Sequence, residues 1–434
     1  MPAAQTERVA ASKNRNRAKA VSVALSVPLE RARAHWWQKQ GLGAPVARRI
    51  DEVIDQTGWL RTLGGVEVYI AARARLPSVT KRALEQASES LAVQVVPAVR
   101  GCIYLLPRPH VPLALQFAES IWQARAERDL QRVGSSWKEV NSVARAVLEA
   151  LKEPLSTDGL RKAMPAGTAR SFGERGKKVG LSSALPVALR QLEFRGEIMR
   201  TLEAGRLDTE RYVWRRSKQN PVSTAKLPTS KAGLAAAIAQ IFFRQMGPAT
   251  VRDFAEWAGM SLGEAKAAVS ELPLASVAIP GYADEARVLD SELHALKNAE
   301  SDATRATLAG FEDNYTTLHG GPAPLVDRMH HGLKVDVWGS GKSTTLGAAK
   351  HLAYRALLVG DRLAGFWEYD PGSREIVTAA FDRVSPAARR AIDKAAREVQ
   401  ALIEELGHAR SFSLDTDASL KERAGKLRAL AKKR

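Results

Sequence analysis

Cysteine is all but missing from this 434-residue chain: Cys102 stands alone. That excludes an internal disulfide framework and any multi-cysteine zinc or iron–sulfur site. No run of about 18 apolar residues occurs, so no membrane-spanning helix is expected. The basic N-terminus offers only one short apolar stretch, 20–29, broken by Ser22 and Ser26 and followed by no clear cleavage site, so no signal peptide is expected either. Acidic residues are in deficit, 47 against 65 basic ones, a formal net charge of +18. What is present is 45% hydrophobic and 26% charged, enough for packed cores and against wholesale disorder. The expectation is a cytoplasmic multidomain protein whose surplus positive charge calls for a polyanionic partner.

The charge is unevenly placed. Lys13, Arg15, Arg17 and Lys19 read as a disordered arm, and Lys421 to Arg434 as a short basic helix or frayed tail. Between them lies an internal cluster. Arg161, Lys162, Arg170, Arg175, Lys177 and Lys178 precede the apolar-faced helix expected over 181–196, and Arg190 to Lys218 carry the charge onward. Strands over Ile198–Leu202 and Arg211–Arg216, joined through Gly205, follow that helix. Helix, helix, hairpin is the order of a winged helix, a helix-turn-helix variant. Basic residues on the second helix and on the hairpin make this the expected phosphate-contacting surface.

Other segments carry local punctuation. Pro28 opens a helix that Gly41 stops, further helices are expected over 44–57, 66–75 and 79–89 (the last capped by Ser78), and strands over 91–99 and 103–106. Trp36, Trp37 and Trp59 read as core. Thr250 caps a helix with Val251, Phe254, Ala255 and Ala258 on one side, Gly259 breaks it, and Ser261 with Glu264 three residues later forms a capping box for the next. This second helix-turn-helix is nearly neutral and lacks base-reading side chains, so it reads as structural. A three-strand meander over 353–381 precedes a helix from Ser385-Pro386 to Gly407.

Several catalytic patterns fail on inspection. The run Gly339-Ser340-Gly341-Lys342-Ser343-Thr344 imitates a phosphate loop, but Asp336 stands where its first glycine belongs. His319, His330 and His331 lack the carboxylate at helical spacing that a zinc site needs, and no GxSxG elbow exists. Cys102 lies in an apolar stretch and reads as an inert thiol. No metal and no cofactor are expected.

Four segments in order resemble one family, the bacterial winged-helix DNA glycosylases of the AlkZ/YcaQ type: Val99–Pro107, Gly247–Leu272 with Trp257, Phe311–Tyr315, and Ala356–Trp367. The resemblance implies an α+β fold of tandem winged-helix (helix-turn-helix) domains with a C-terminal β-barrel-like domain. The boundaries are a disordered basic arm (1–28), an N-terminal winged-helix-like domain (29–151), a second winged helix (152–220), a third helix-turn-helix or winged helix (230–295), a β-rich barrel-like domain (300–384), and a C-terminal helix with basic tail (385–434). It also implies a catalytic glutamine–hydrophobic–glutamine or –aspartate triplet that positions water against the sugar. Trp59-Leu60-Arg61 occupies the matching place, and Tyr104 replaces a hairpin histidine. Arg61 is permanently cationic and cannot serve as a general base. Gln38-Lys39-Gln40 has the literal spacing, without the hydrophobic centre, at an earlier helix end.

The leading expectation is therefore a DNA-binding protein acting in DNA repair without glycosylase activity. It would be a nucleoid-associated monomer that grips double-stranded DNA mainly through phosphates, away from membranes. Lys177, Lys178, Arg190, Arg195, Arg215 and Arg216 would contact the backbone, with Arg61, Arg100 and Tyr104 at the former catalytic pocket. One alternative is an active glycosylase excising alkylated or crosslinked bases, using Glu67, Asp313, Gln38 or Gln40 to position water. The other is a winged-helix transcriptional regulator.

Overall fold

The computed structural model describes residues 25–338 and 342–432. The basic run Lys13–Lys19, the Gly339-Ser340-Gly341 turn and the last two residues lie outside them. The arm expected over 1–28 ends earlier than expected: Leu25–Ser26 pairs in parallel with Val277–Ala278, and Val27 is buried.

Amphipathic spacing and caps set the elements of the first region. Helices cover Leu29–Lys39, Ile50–Thr57, Glu67–Arg75 and Lys81–Glu89. The second begins six residues later than expected, and the fourth is capped by Thr80 rather than Ser78, its hydroxyl accepting from the Ala83 amide. A three-stranded antiparallel sheet places Ile103–Pro107 between Leu60–Arg61 and Val93–Pro97. The register sets Arg61 directly opposite Tyr104.

Two long helices follow, Val111–Arg132 and Trp137–Ala150. They lead into a region with its own core, in which Leu130, Val140, Val143 and Val147 meet Leu185, Ala188, Leu189, Leu192 and Trp214. This core straddles residue 151, because half of its wall comes from the two long helices before it. The helix Leu185–Phe194 is buried nearly all round, leaving only Pro186 exposed and Arg190 partly so. The hairpin strands are Ile198–Leu202 and Tyr212–Arg216.

The helix Lys231–Met246 packs beside Val251–Ala258 and Leu262–Val269, and a hairpin of Leu274–Ile279 and Ala283–Leu289 follows. The Ser261/Glu264 capping box forms, and Thr250 with Asp253 makes a second one. Gly259 takes φ +78° between the two helices, and a Cβ there would lie 3.0 Å from the Arg100 Cα. The turn is tight because the first region's hairpin presses into it.

In the C-terminal third, four antiparallel strands run in the order Ala306–Leu308, Arg355–Val359, Arg362–Asp370, Glu375–Ala380. They form a half-barrel, an open sheet with both faces covered by protein. Leu357, Trp367 and Tyr369 belong to the large central core, Ala356, Leu358 and Phe366 to a second. The helix Pro386–Leu406 is capped by Ser385 and ended by Gly407 at φ +80°. Beyond it, Asp417–Lys432 is a docked helix rather than a tail: Leu420, Ala424 and Leu427 are buried. Arg423 bonds Glu368 and Asp415 at 2.6 and 2.7 Å, and Lys426 reaches Asp336 at 3.0 Å. Arg423, Lys426 and Arg428, three of the seven basic residues expected to seek a polyanion at this end, are instead paired with acids of the fold.

Candidate nucleic-acid interface

The triplet Trp59-Leu60-Arg61 sits at the sheet edge beside the hairpin tip. Trp59 and Tyr104 are each 1% exposed, so the spot is filled by side chains rather than open. The Trp59 ring packs on Trp257, 5.6 Å between centroids, and edge-on to Tyr104 at 6.4 Å. Its indole N–H donates to His110 Nδ1 at 2.9 Å, and Nε2 of that imidazole lies 2.9 Å from Asp55. An indole nitrogen can only donate, so His110 is held neutral with its proton on Nε2. Burial lowers its pKa in the same direction.

Arg61 points to the rim. Its guanidinium donates to Glu312 at 2.6 Å and lies 4.0 Å from the Cys102 sulfur. His351 approaches the same carboxylate at 2.9 Å. Arg100, at φ +57° on the hairpin tip, donates to the Tyr104 hydroxyl at 2.9 Å. Burial pushes that phenol's pKa up, with Arg100 opposing. A cavity of about 50 Å³ lies alongside, walled by Arg100, Trp257, His319, Lys350 and His351. It has room for water molecules and not for a nucleoside. Glu312 is the carboxylate at this rim, and sequence reasoning passed over it in favour of its neighbour Asp313. Which of two adjacent acids faces the rim is set by backbone: Glu312 adopts φ +59°, which no sequence pattern announces.

The four residues considered as water-positioning groups lie elsewhere. Glu67 is 4% exposed and holds Arg355 at 2.6 and 2.8 Å. Burial raises its carboxyl pKa, and Arg355 opposes the rise. Asp313 grips Arg75, itself 0% exposed, through two bonds of 2.9 Å. Gln40 accepts from Arg75 at 3.0 Å and donates to the Thr57 carbonyl at 2.6 Å. Gln38 is at the surface, donating to the Glu300 carbonyl. Three of the four are therefore buried ties between distant segments, and none of them bonds Arg61, whose carboxylate partner is Glu312.

The basic residues divide similarly. Lys177 and Lys178 are exposed on the short helix Gly173–Val179, Lys177 paired with Glu174 at 2.5 Å. Arg195 and Arg215 are exposed, and Arg216 is bent back onto the Leu148 carbonyl. Arg190 lies apart from them, partly buried beside the Gly101 turn. A further basic surface went unremarked in the sequence. Arg125, Arg128 and Arg132 share one exposed face of the long helix and wall a groove of about 370 Å³ with Lys178 across it. Asp129 is the single acid there, 3.6 Å from Arg125 and 3.4 Å from Arg132. Spacing of i, i+3, i+7 could have signalled this stripe.

Comparison with known proteins agrees with this architecture. The family profile described as DNA glycosylase AlkZ-like matches residues 54–402. The solved structure of Streptomyces sahachiroi DNA glycosylase AlkZ superposes with a TM-score of 0.63 at 17% identity, over 89% of this chain and 99% of that one. At that identity the likeness is one of fold. No curated protein matches the chain significantly. A profile match over most of the chain's length, with four motifs in family order, leads to the conclusion that this chain belongs to the AlkZ-like DNA glycosylase family.

Proposed function

We propose that this protein is a DNA-binding member of its family, acting in DNA repair, that grips duplex DNA mainly through phosphates and does not hydrolyse the glycosidic bond by the family's water-positioning triplet. The observation that carries the reading is the groove of Arg125, Arg128, Arg132 and Lys178 with one acid among four cations. Arg175 lies beside it, its guanidinium 3.5 Å from where a Cβ on Gly134 would stand. Two helices in contact, Val111–Arg132 and Gly173–Val179, bring these charges to one groove, where they can meet successive phosphates. We read the helix–hairpin units over 152–220 and 230–295 as winged-helix modules. Leu185–Phe194, buried nearly all round, offers little side-chain surface to base edges, which favours phosphate contact over sequence readout. The salt-bridged Arg61 adds a cation where a developing oxocarbenium sugar would need an anion or a neutral water-positioner.

Neutralising about six phosphates gives a log K against log salt slope near −5 for duplex DNA of any sequence. Duplex affinity that ignores salt, or a strong preference for one sequence, refutes the reading. A second reading, an active glycosylase, draws support from Glu312, whose carboxylate sits 2.9 Å from His351 at the rim. Base release from alkylated duplex that Glu312→Gln abolishes would establish it. No release above the no-protein control dismisses it.

A further inference from the structure

A second cavity, of about 360 Å³, opens in the region 122–214, between the helix Leu185–Phe194, the strand Tyr212–Arg216 and Trp122. Its volume falls in the roughly 300–1,000 Å³ range of small-molecule sites. Trp122, Leu181, Val187, Leu189 and Trp214 supply an aromatic and aliphatic wall.

Two arginines face this cavity, and they differ. Arg200 is fully committed: Glu193 holds it at 2.7 and 2.5 Å, and its guanidinium lies over the Tyr212 and Trp214 rings at 4.6 and 5.1 Å. Arg190, although partly buried, has no hydrogen bond or ion pair to any described residue. On its other side stands the Gly101 turn, with Arg190 Nη1 3.8 Å from where a Cβ on Gly101 would be. Burial and the neighbouring Arg200 both disfavour its charge, and Glu193, the acid that opposes them, is already held by Arg200. An anion entering the cavity would give this guanidinium a counter-ion of its own.

We propose that this cavity binds one nucleotide monophosphate unit, its phosphate on Arg190 and its base against the Trp122 and Trp214 wall. Guanidinium meets phosphate through a two-pronged fork, and aromatic walls accept any base by stacking or edge contact. The unit comes either from an extruded nucleotide of a DNA strand or from a free mononucleotide. The first source deepens the duplex-gripping reading, and the second does not depend on it.

The test titrates the full chain with dAMP, adenosine and inorganic phosphate, read by calorimetry and tryptophan fluorescence. dAMP is expected to bind at least tenfold tighter than either part alone. Arg190→Gln should weaken dAMP at least tenfold, Arg190→Lys should restore part of the loss, and Trp122→Leu should weaken dAMP while leaving phosphate little changed. Circular dichroism establishes that each variant is folded. A duplex carrying a one-nucleotide bulge, compared with a fully paired one, separates the sources. A bulge preference lost in Arg190→Gln assigns the site to a strand, and dAMP binding without that preference assigns it to the free nucleotide. No dAMP binding and no bulge preference by the folded wild type overturns the proposal, as does equal binding of dAMP by wild type and Arg190→Gln. Failure of fully paired duplex to bind, with dAMP binding intact, sinks the duplex reading and leaves this one standing.

Discussion

Replacing Asp313 by asparagine separates a structural carboxylate from a catalytic one. Asp313 accepts two bonds of 2.9 Å from Arg75 and one of 2.9 Å from the Tyr315 amide, the last as the cap of a helical turn. Asparagine keeps an oxygen for the cap and loses the charge. Arg75, fully buried, is then an uncompensated cation whose remaining partners are the Ala71 carbonyl and Gln40. Breaking a buried pair from one side costs about 3–5 kcal/mol, so Asp313→Asn is placed near the lower figure. Asp313→Ala also removes the cap, adding about 1 kcal/mol. Arg75→Met combined with Asp313→Asn should cost less than the sum of the two singles, because neither charge is then stranded. Urea unfolding followed by tryptophan fluorescence reads these variants and the Arg75→Met single. A loss under 1 kcal/mol for Asp313→Asn refutes the argument, as does strict additivity in the double variant.

Other consequences follow from the same contacts. Burial holds His35 at a pKa of about 4 in the folded chain, below the ordinary imidazole value of about 6.5. Between those values the unfolded state binds more protons, so stability is full above pH 6.5 and declines by roughly 3 kcal/mol as pH falls to 4. His35→Phe should flatten that limb in urea titrations run from pH 7 to 4, and an unchanged limb assigns it to another group. Truncation after Thr416 strips Leu420, Ala424 and Leu427 from the sheet and leaves Glu368 without Arg423. The shortened chain should bind a hydrophobic dye and melt earlier, whereas a tail with no docking role would be lost without effect. Gly365→Ala places a Cβ 2.2 Å from the Ala379 carbonyl oxygen, so it should disrupt the half-barrel and lower soluble yield, and a normal melting curve would contradict that packing.

Local signals were the legible ones. The Ser261/Glu264 box, the Ser385-Pro386 start, the Gly407 stop and the meander strands are written in residues within a turn of one another, and each formed where expected. Family membership was legible for the same reason, through short motifs in order. Long-range commitments were not. Glu67 meets Arg355 and Asp313 meets Arg75 across separations of 288 and 238 residues. Without the fold, each acid looked available. The basic residues misled in the other direction. The Leu185–Phe194 helix is wrapped by two helices whose contribution to that core depends on tertiary packing, so its charges could not be sorted into exposed and sunken. Arg190 and the Arg125–Arg132 stripe changed places in the account on that ground alone.

The central claim is that fixed cations in one groove hold DNA by its phosphates. Its most direct measurement is the salt dependence of duplex affinity for the wild type and for a variant with Arg125, Arg128, Arg132 and Lys178 all replaced by alanine. The wild-type slope should be near −5 on two unrelated sequences, and the variant's slope shallower by about 3.6. Parallel slopes for the two proteins, or a variant whose affinity at low salt equals that of the wild type, would contradict it.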